Sequence, residues 1–124
     1  MQRQSISKLM AVLFLLCGLA GAQKIVSFNA PGAGSGPGQG TTPEGISPLG
    51  IVYGYFIDSN GVAHGFLRNW NGNFTTFDDP EAGTASSQGT FAFSLSPEGE
   101  MAGYYIDANN VLHGYARSAA VPVG

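Results

Sequence analysis

The chain repeats itself. Residues 25–69 align with residues 74–118 without a gap at a constant offset of 49 residues, which sets His64 on His113 and Ser47-Pro48 on Ser96-Pro97. Of the 45 aligned positions, 19 are identical. A match of that length means one supersecondary unit used twice, with neighbouring copies burying each other's apolar faces. Trp70-Asn71-Gly72-Asn73 joins the copies, and almost nothing between residues 23 and 124 is left over for a separate functional domain.

Each copy reads as β-structure. Ile51–Ile57 and Met101–Ile106 are rich in Val, Ile, Tyr and Phe, which suit a pleated, half-buried surface. Asp58-Ser59-Asn60-Gly61 follows the first run, and Asn-Gly between apolar runs is a hairpin signal. In the second copy the pair becomes Asn109-Asn110, which still tolerates positive φ. Val62–Arg68 and Val111–Arg117 are the return strands, Phe74–Phe77 begins the next strand with Ile25–Phe28 as its counterpart, and Thr90–Leu95 is another. Thr42-Pro43-Glu44-Gly45 stands where the second copy has Phe91-Ala92-Phe93-Ser94. Proline cannot donate to a ladder, so this strand is expected to be weak or to lie at an edge. No segment of residues 23–124 has a helical period. The expected fold class is all-β: two tandem four-stranded repeats of about 49 residues, either propeller-blade-like or packed as an eight-strand, two-sheet arrangement. Two units do not close a ring, so open sheet edges and self-association are expected.

Residues 1–22 read differently. Arg3 and Lys8 precede an apolar run from Leu9 to Leu16, and Ala20-Gly21-Ala22 supplies the small residues of a cleavage site. That is the pattern of a secretory signal peptide, and the run is too short to span ~30 Å of hydrocarbon. Cleavage after Ala22 leaves a domain of residues 23–124, extracellular or periplasmic, without membrane attachment. Cys17, the only cysteine, departs with the signal, so neither disulfide nor thiol chemistry remains. Lys24, Arg68 and Arg117 then face eight acidic residues, a net charge of −5. Such a surface argues against nucleic acid and anionic membranes as partners.

The pattern Gly54-Tyr55-x-x-Asp58-x-x-Gly61-x-x-His64-Gly65-Phe66, with Phe77-Asp78-x-Pro80 downstream, resembles the HAF-type extracellular repeat of bacterial secreted proteins. The second copy departs at Asn110, where that family prefers glycine, and at Tyr115 in place of phenylalanine. The resemblance implies an exported β-repeat protein with a propeller-like fold. It carries no catalytic residues over.

Candidate chemistry is sparse. His64 and His113 hold equivalent positions and are the first residues to weigh as metal ligands, but a site needs a third donor and no carboxylate adjoins either in sequence. Hydrogen bonds within each sheet are the simpler expectation. Asp58-x-Asn60-Gly61 and Asp107-x-Asn109 lack the downstream bidentate acid of a calcium loop and read as turns. Asp78-Asp79-Pro80-Glu81 is expected to be a solvated loop, because adjacent carboxylates before a proline face different ways. No nucleophile elbow, zinc-protease helix or phosphate loop is present. Tyr55, Tyr104 and Trp70 are candidates for stacking on a sugar ring. Neither catalytic residue, metal nor cofactor is expected. The function that follows is a non-enzymatic exported module with a structural or interaction role. The alternative is a carbohydrate- or peptide-binding module using exposed aromatics or a free sheet edge.

Overall fold

The computed structural model describes residues 23–118, so the signal-peptide reading of residues 1–22 lies outside the described residues. Seven strands form among them: β1 Gly40–Ile46, β2 Val52–Ile57, β3 Ala63–Arg68, β4 Phe74–Phe77, β5 Gly89–Leu95, β6 Met101–Ile106 and β7 Leu112–Arg117. Their order in one mixed, open sheet is β1-β2-β3-β5-β6-β7, with β4 also paired to β3. No described residue is helical.

Local chemistry explains the hairpins. β2 returns as β3, and β6 as β7, through the expected four-residue turns. Gly61 sits at φ +82° and its counterpart Asn110 at φ +66°. Both occupy the left-handed region that glycine and asparagine adopt at least cost. Ser47 and Ser96 organise the β1–β2 and β5–β6 turns, each hydroxyl accepting a backbone N–H four residues on: Ser47 Oγ from Ile51 at 3.2 Å and Ser96 Oγ from Glu100 at 3.0 Å.

Two expectations need correction. Ile25–Phe28 is not a strand, so seven strands form rather than eight. Its counterpart β4 is a strand because β3 stands beside it as a partner, while Ile25–Phe28 has no described strand alongside. The strands also join in a single sheet rather than two, because β3 and β5 are bridged in parallel at Ala63 and Gly89. Thr42–Gly45 takes the second of its two expected forms, an edge position, within the seven-residue strand β1. Pro43 is tolerated there because β1 is an edge strand whose register shifts between Pro43 and Gly45, the kind of place where a missing N–H costs little. β5 shifts register at the equivalent place, between Ala92 and Ser94.

β3 is the centre of the packing. Val62 and Ala63 at its start, and Gly65 and Phe66 within it, are buried, so both of its faces are covered. Phe66 packs with Phe56 and Ala30, and Phe28, Val52 and Phe74 close around them. On the other side, Tyr55 of β2 meets the Phe91 ring of β5 edge-on at 4.8 Å, and Phe93 at 6.0 Å. Glycine at 89 is required by this contact. At φ +120° its backbone lies directly on Ala63, and a Cβ would run into the Ala63 carbonyl.

Phe66 is fully buried and Trp70 is 77% exposed. Phe66→Ala is expected to lower unfolding free energy by about 3–5 kcal/mol through the cavity it leaves. Trp70→Ala should change it by less than about 0.5 kcal/mol. Urea denaturation of the two variants beside the parent checks the contrast.

Candidate functional site

The densest polar constellation is built on the β2–β3 hairpin. Asp58 ends β2, and its Oδ1 accepts the backbone N–H groups of Asn60 at 2.8 Å and Val62 at 3.0 Å. Its other oxygen, Oδ2, lies 2.8 Å from His64 Nε2. The imidazole stacks on Phe56, with centroids 4.9 Å apart. On its far side His64 Nδ1 meets Asp78 Oδ1 at 2.6 Å, from the loop after β4. One ring therefore ties the first hairpin to the segment that opens the second copy.

The second copy reproduces half of this. Asp107 Oδ1 accepts Asn109 N–H at 2.8 Å and Val111 N–H at 2.9 Å, its Oδ2 lies 2.8 Å from His113 Nε2, and His113 stacks on Tyr105 at 4.9 Å. Other identical pairs do matching work. Gln39 and Gln88 each accept a loop N–H three residues back, and each donates to a carbonyl in the turn two strands on, Ser59 after β2 and Ala108 after β6. Thr41 and Thr90 accept the N–H groups of Ala30 and Asp79. Four of the 19 identical positions, those of Gln39, Thr41, Ser47 and Asp58, thus keep a side chain that binds backbone in both copies.

Electrostatics follow from the geometry. Partial burial disfavours charge on His64, but hydrogen bonds to Asp58 and Asp78 and the charges of both outweigh it, holding the imidazole pKa above the usual 6.5. For Asp58, partial burial raises the carboxyl pKa, while the His64 bond and the two backbone amides lower it further, leaving it below the usual 3.8. With both nitrogens facing carboxylate oxygens, the protonated ring donates in both directions. Neither nitrogen is free to take a substrate proton while these bonds hold. The Tyr115 hydroxyl, which donates to the Phe91 carbonyl at 3.0 Å, is pushed up to about 12 by burial.

The other candidates are scattered. His64 and His113 stay in separate hairpins, each with its own aspartate, and no group of three or more potential ligands that could hold a metal occurs among the described residues. Tyr55 and Tyr104 both pack on the β5 rings, Tyr104 lying 5.0 Å from Phe91 and 5.2 Å from Phe93. Trp70 stands exposed on the β3–β4 turn. The acidic cluster does face different ways: Asp78 to His64, Asp79 onto the Glu81 amide, and Glu81 to the Tyr105 hydroxyl. Asp78 is the residue that sequence reasoning missed as a partner of His64. Its only sequence signal is negative, because the first copy has Asn29 at that position.

Two hollows flank the Asp78–Pro80 loop. One, of about 270 Å³, is lined by Val62, His64 and Asp78 among others, and the second, of about 340 Å³, by Phe77, Asp78 and Tyr115 among others. Compared with known protein families, with curated proteins and with solved structures, the chain has no significant match.

The shifts predict a stability optimum in mild acid. His64 has a raised folded pKa, so its contribution is full below 6.5 and fades as pH rises through the higher folded value. Asp58 has a depressed one, so its contribution is present above 3.8 and fades as pH falls through the lower folded value. Thermal unfolding from pH 3 to 9 should therefore peak between those limits, and His64→Gln should flatten the alkaline limb. Asp58→Ala, which also frees two turn amides, should cost about 2 kcal/mol at neutral pH.

Proposed function

We propose that the chain is an exported, non-enzymatic β-repeat module of the HAF-type kind, with a structural or interaction role in the cell envelope or medium. Each copy is a blade-like unit, and the second is docked on the first. The observation that carries the reading is the Asp58–His64–Asp78 arrangement. Its polar atoms are spent on one another and on backbone, as they are where a residue serves the repeat rather than a reaction. The repeated hydrogen bonds of Gln39 and Gln88 and of Thr41 and Thr90 support the blade-like description. The signal-like residues 1–22 support export.

The alternative is a binding module for a carbohydrate or peptide. It draws on one observation: β7 ends the strand order and pairs only with β6 among the described strands, which leaves an edge open to β-addition.

Two measurements test the proposal. The protein recovered from the medium or envelope fraction of its producing cells should begin at Gln23, as read by mass spectrometry of its N-terminus. Incubated with a panel of polysaccharides and peptides, it should turn none over. Hydrolysis that disappears in Asp78→Asn or His64→Ala would overturn the non-enzymatic reading, and an empty glycan array would remove the carbohydrate form of the alternative.

A further inference from the structure

The first copy presents to the second a surface that the second presents to no described residue. On β3, the strand β4 runs antiparallel along Gly65–Arg68, and the Phe77 ring lies where a Cβ on Gly65 would be. Phe74 packs on Phe28 and Phe66, with centroids 5.9 Å and 5.8 Å away. Ala63 donates its N–H to the Gln88 carbonyl, and the Gly61 carbonyl accepts from Ser87, both at 2.9 Å. Val62 and Ala63 are in consequence 5% and 0% exposed.

On β7 the equivalent places are open. Val111 and Leu112, the counterparts of Val62 and Ala63, are 49% and 58% exposed. Among the described residues, a Cβ on Gly114 would meet only the Gly103 carbonyl, at 3.9 Å, so no described ring occupies the place that Phe77 fills over Gly65. The hollow of about 340 Å³ is lined by Phe77 and Tyr115, the counterparts of the two rings on which Phe74 packs.

The surface that would fill these places is open too. Ile25 and Val26, counterparts of Phe74 and Thr75, are 90% and 58% exposed. Gly40 holds φ +109°, close to the +120° of Gly89. Gly89 needs that shape because Ala63 presses on it, whereas a Cβ on Gly40 would find only the Gly34 carbonyl at 3.8 Å.

We propose that a second copy of this chain docks on β7, its Ile25–Phe28 segment pairing antiparallel with Gly114–Arg117 and its Gly40 seated on the Leu112 backbone. The register carries over from β3–β4: Ile25 opposite Arg117, Val26 opposite Ala116, Ser27 opposite Tyr115, Phe28 opposite Gly114. It brings Asn29 of the second copy to His113 as Asp78 is brought to His64. The inference rests on the reading of the chain as an interaction module and names its partner. A segment of the same chain folding onto β7 would cover Leu112 but leave Ile25, Val26 and Gly40 facing solvent. A second copy covers both sets at once. Because β1 and β7 lie at opposite ends of the strand order, the contact is heterologous and propagates head to tail into a ring or a filament.

Light scattering on the full chain tests this. Assemblies of several chains are expected, growing with concentration. Ile25→Asp and Leu112→Asp alter exposed side chains and should keep the parent's circular dichroism, yet each alone should run at the mass of one chain. Mixed, they should form a one-to-one pair at twice that mass, since each retains the face the other has lost. Leu49→Asp, at a 71% exposed site outside the contact, should assemble like the parent. A parent at the mass of one chain at every concentration, assemblies that survive both substitutions, or a mixture that fails to pair would each overturn the proposal. None of these outcomes bears on turnover, so the non-enzymatic reading stands or falls separately.

Discussion

The Asp58 carboxylate meets three groups that would otherwise be hard to satisfy together. Two are turn amides pointing inward from the β2–β3 connection, and the third is the ring of His64 on the return strand. An ionised carboxylate can accept all three, and charge-assisted bonds of this kind are about twice as strong as neutral ones. The result is a hairpin whose turn conformation and whose first inward side chain are set by one residue. With the histidine held upright on Phe56, Phe66 two residues further is delivered into the core and Gly65 between them to the opposite face. Asp107 does the same for His113 on Tyr105. The six-residue spacing from aspartate to histidine is the span of one tight turn and two strand positions, and it is the same in both copies.

From that hairpin the two copies diverge in what lies outside them. The first has its return strand covered along its length, by β4 at Gly65–Arg68 and by β5 at Ala63, and both faces of β3 are buried as a result. The second has no described strand beyond β7, and its outward residues remain exposed. Substitutions follow this asymmetry. Phe91 and Phe93, which enter the contact between copies, stand where the first copy has Thr42 and Glu44 at a free edge. Asp78, which reaches across to His64, stands where the first copy has Asn29. The join between the copies therefore sets one histidine between two carboxylates, Asp58 of its own hairpin and Asp78 of the following segment.

Much of the architecture was legible beforehand. The all-β class, the tight turns at Asp58–Gly61 and Asp107–Asn110, and the edge position of the proline-bearing strand follow from turn chemistry, β-rich composition and the missing donor of Pro43. The strand count was less so. Ile25–Phe28 and Phe74–Phe77 occupy equivalent positions in sequence, but among the described residues only the second has a strand within reach of its backbone. Strand formation is a property of a pair, and a single segment's residues do not carry the information about its partner. The joining of all strands in one sheet was hidden for the same reason, because it rests on a single bridge between Ala63 and Gly89.

The sequence by itself determined the local units: an aspartate-capped turn, a histidine six residues on, and a glycine-aromatic step that repeats after 49 residues. These depend on contacts within one hairpin, and spacing along the chain is enough to specify them. Only the tertiary structure decided that the second copy lies on the first, that Asp78 completes the His64 environment, and that β7 is left as the open edge. Those outcomes depend on which surfaces meet across tens of residues of intervening chain. Identical spacing in both copies says nothing of that, since the same histidine can be enclosed in one and bordered by solvent in the other.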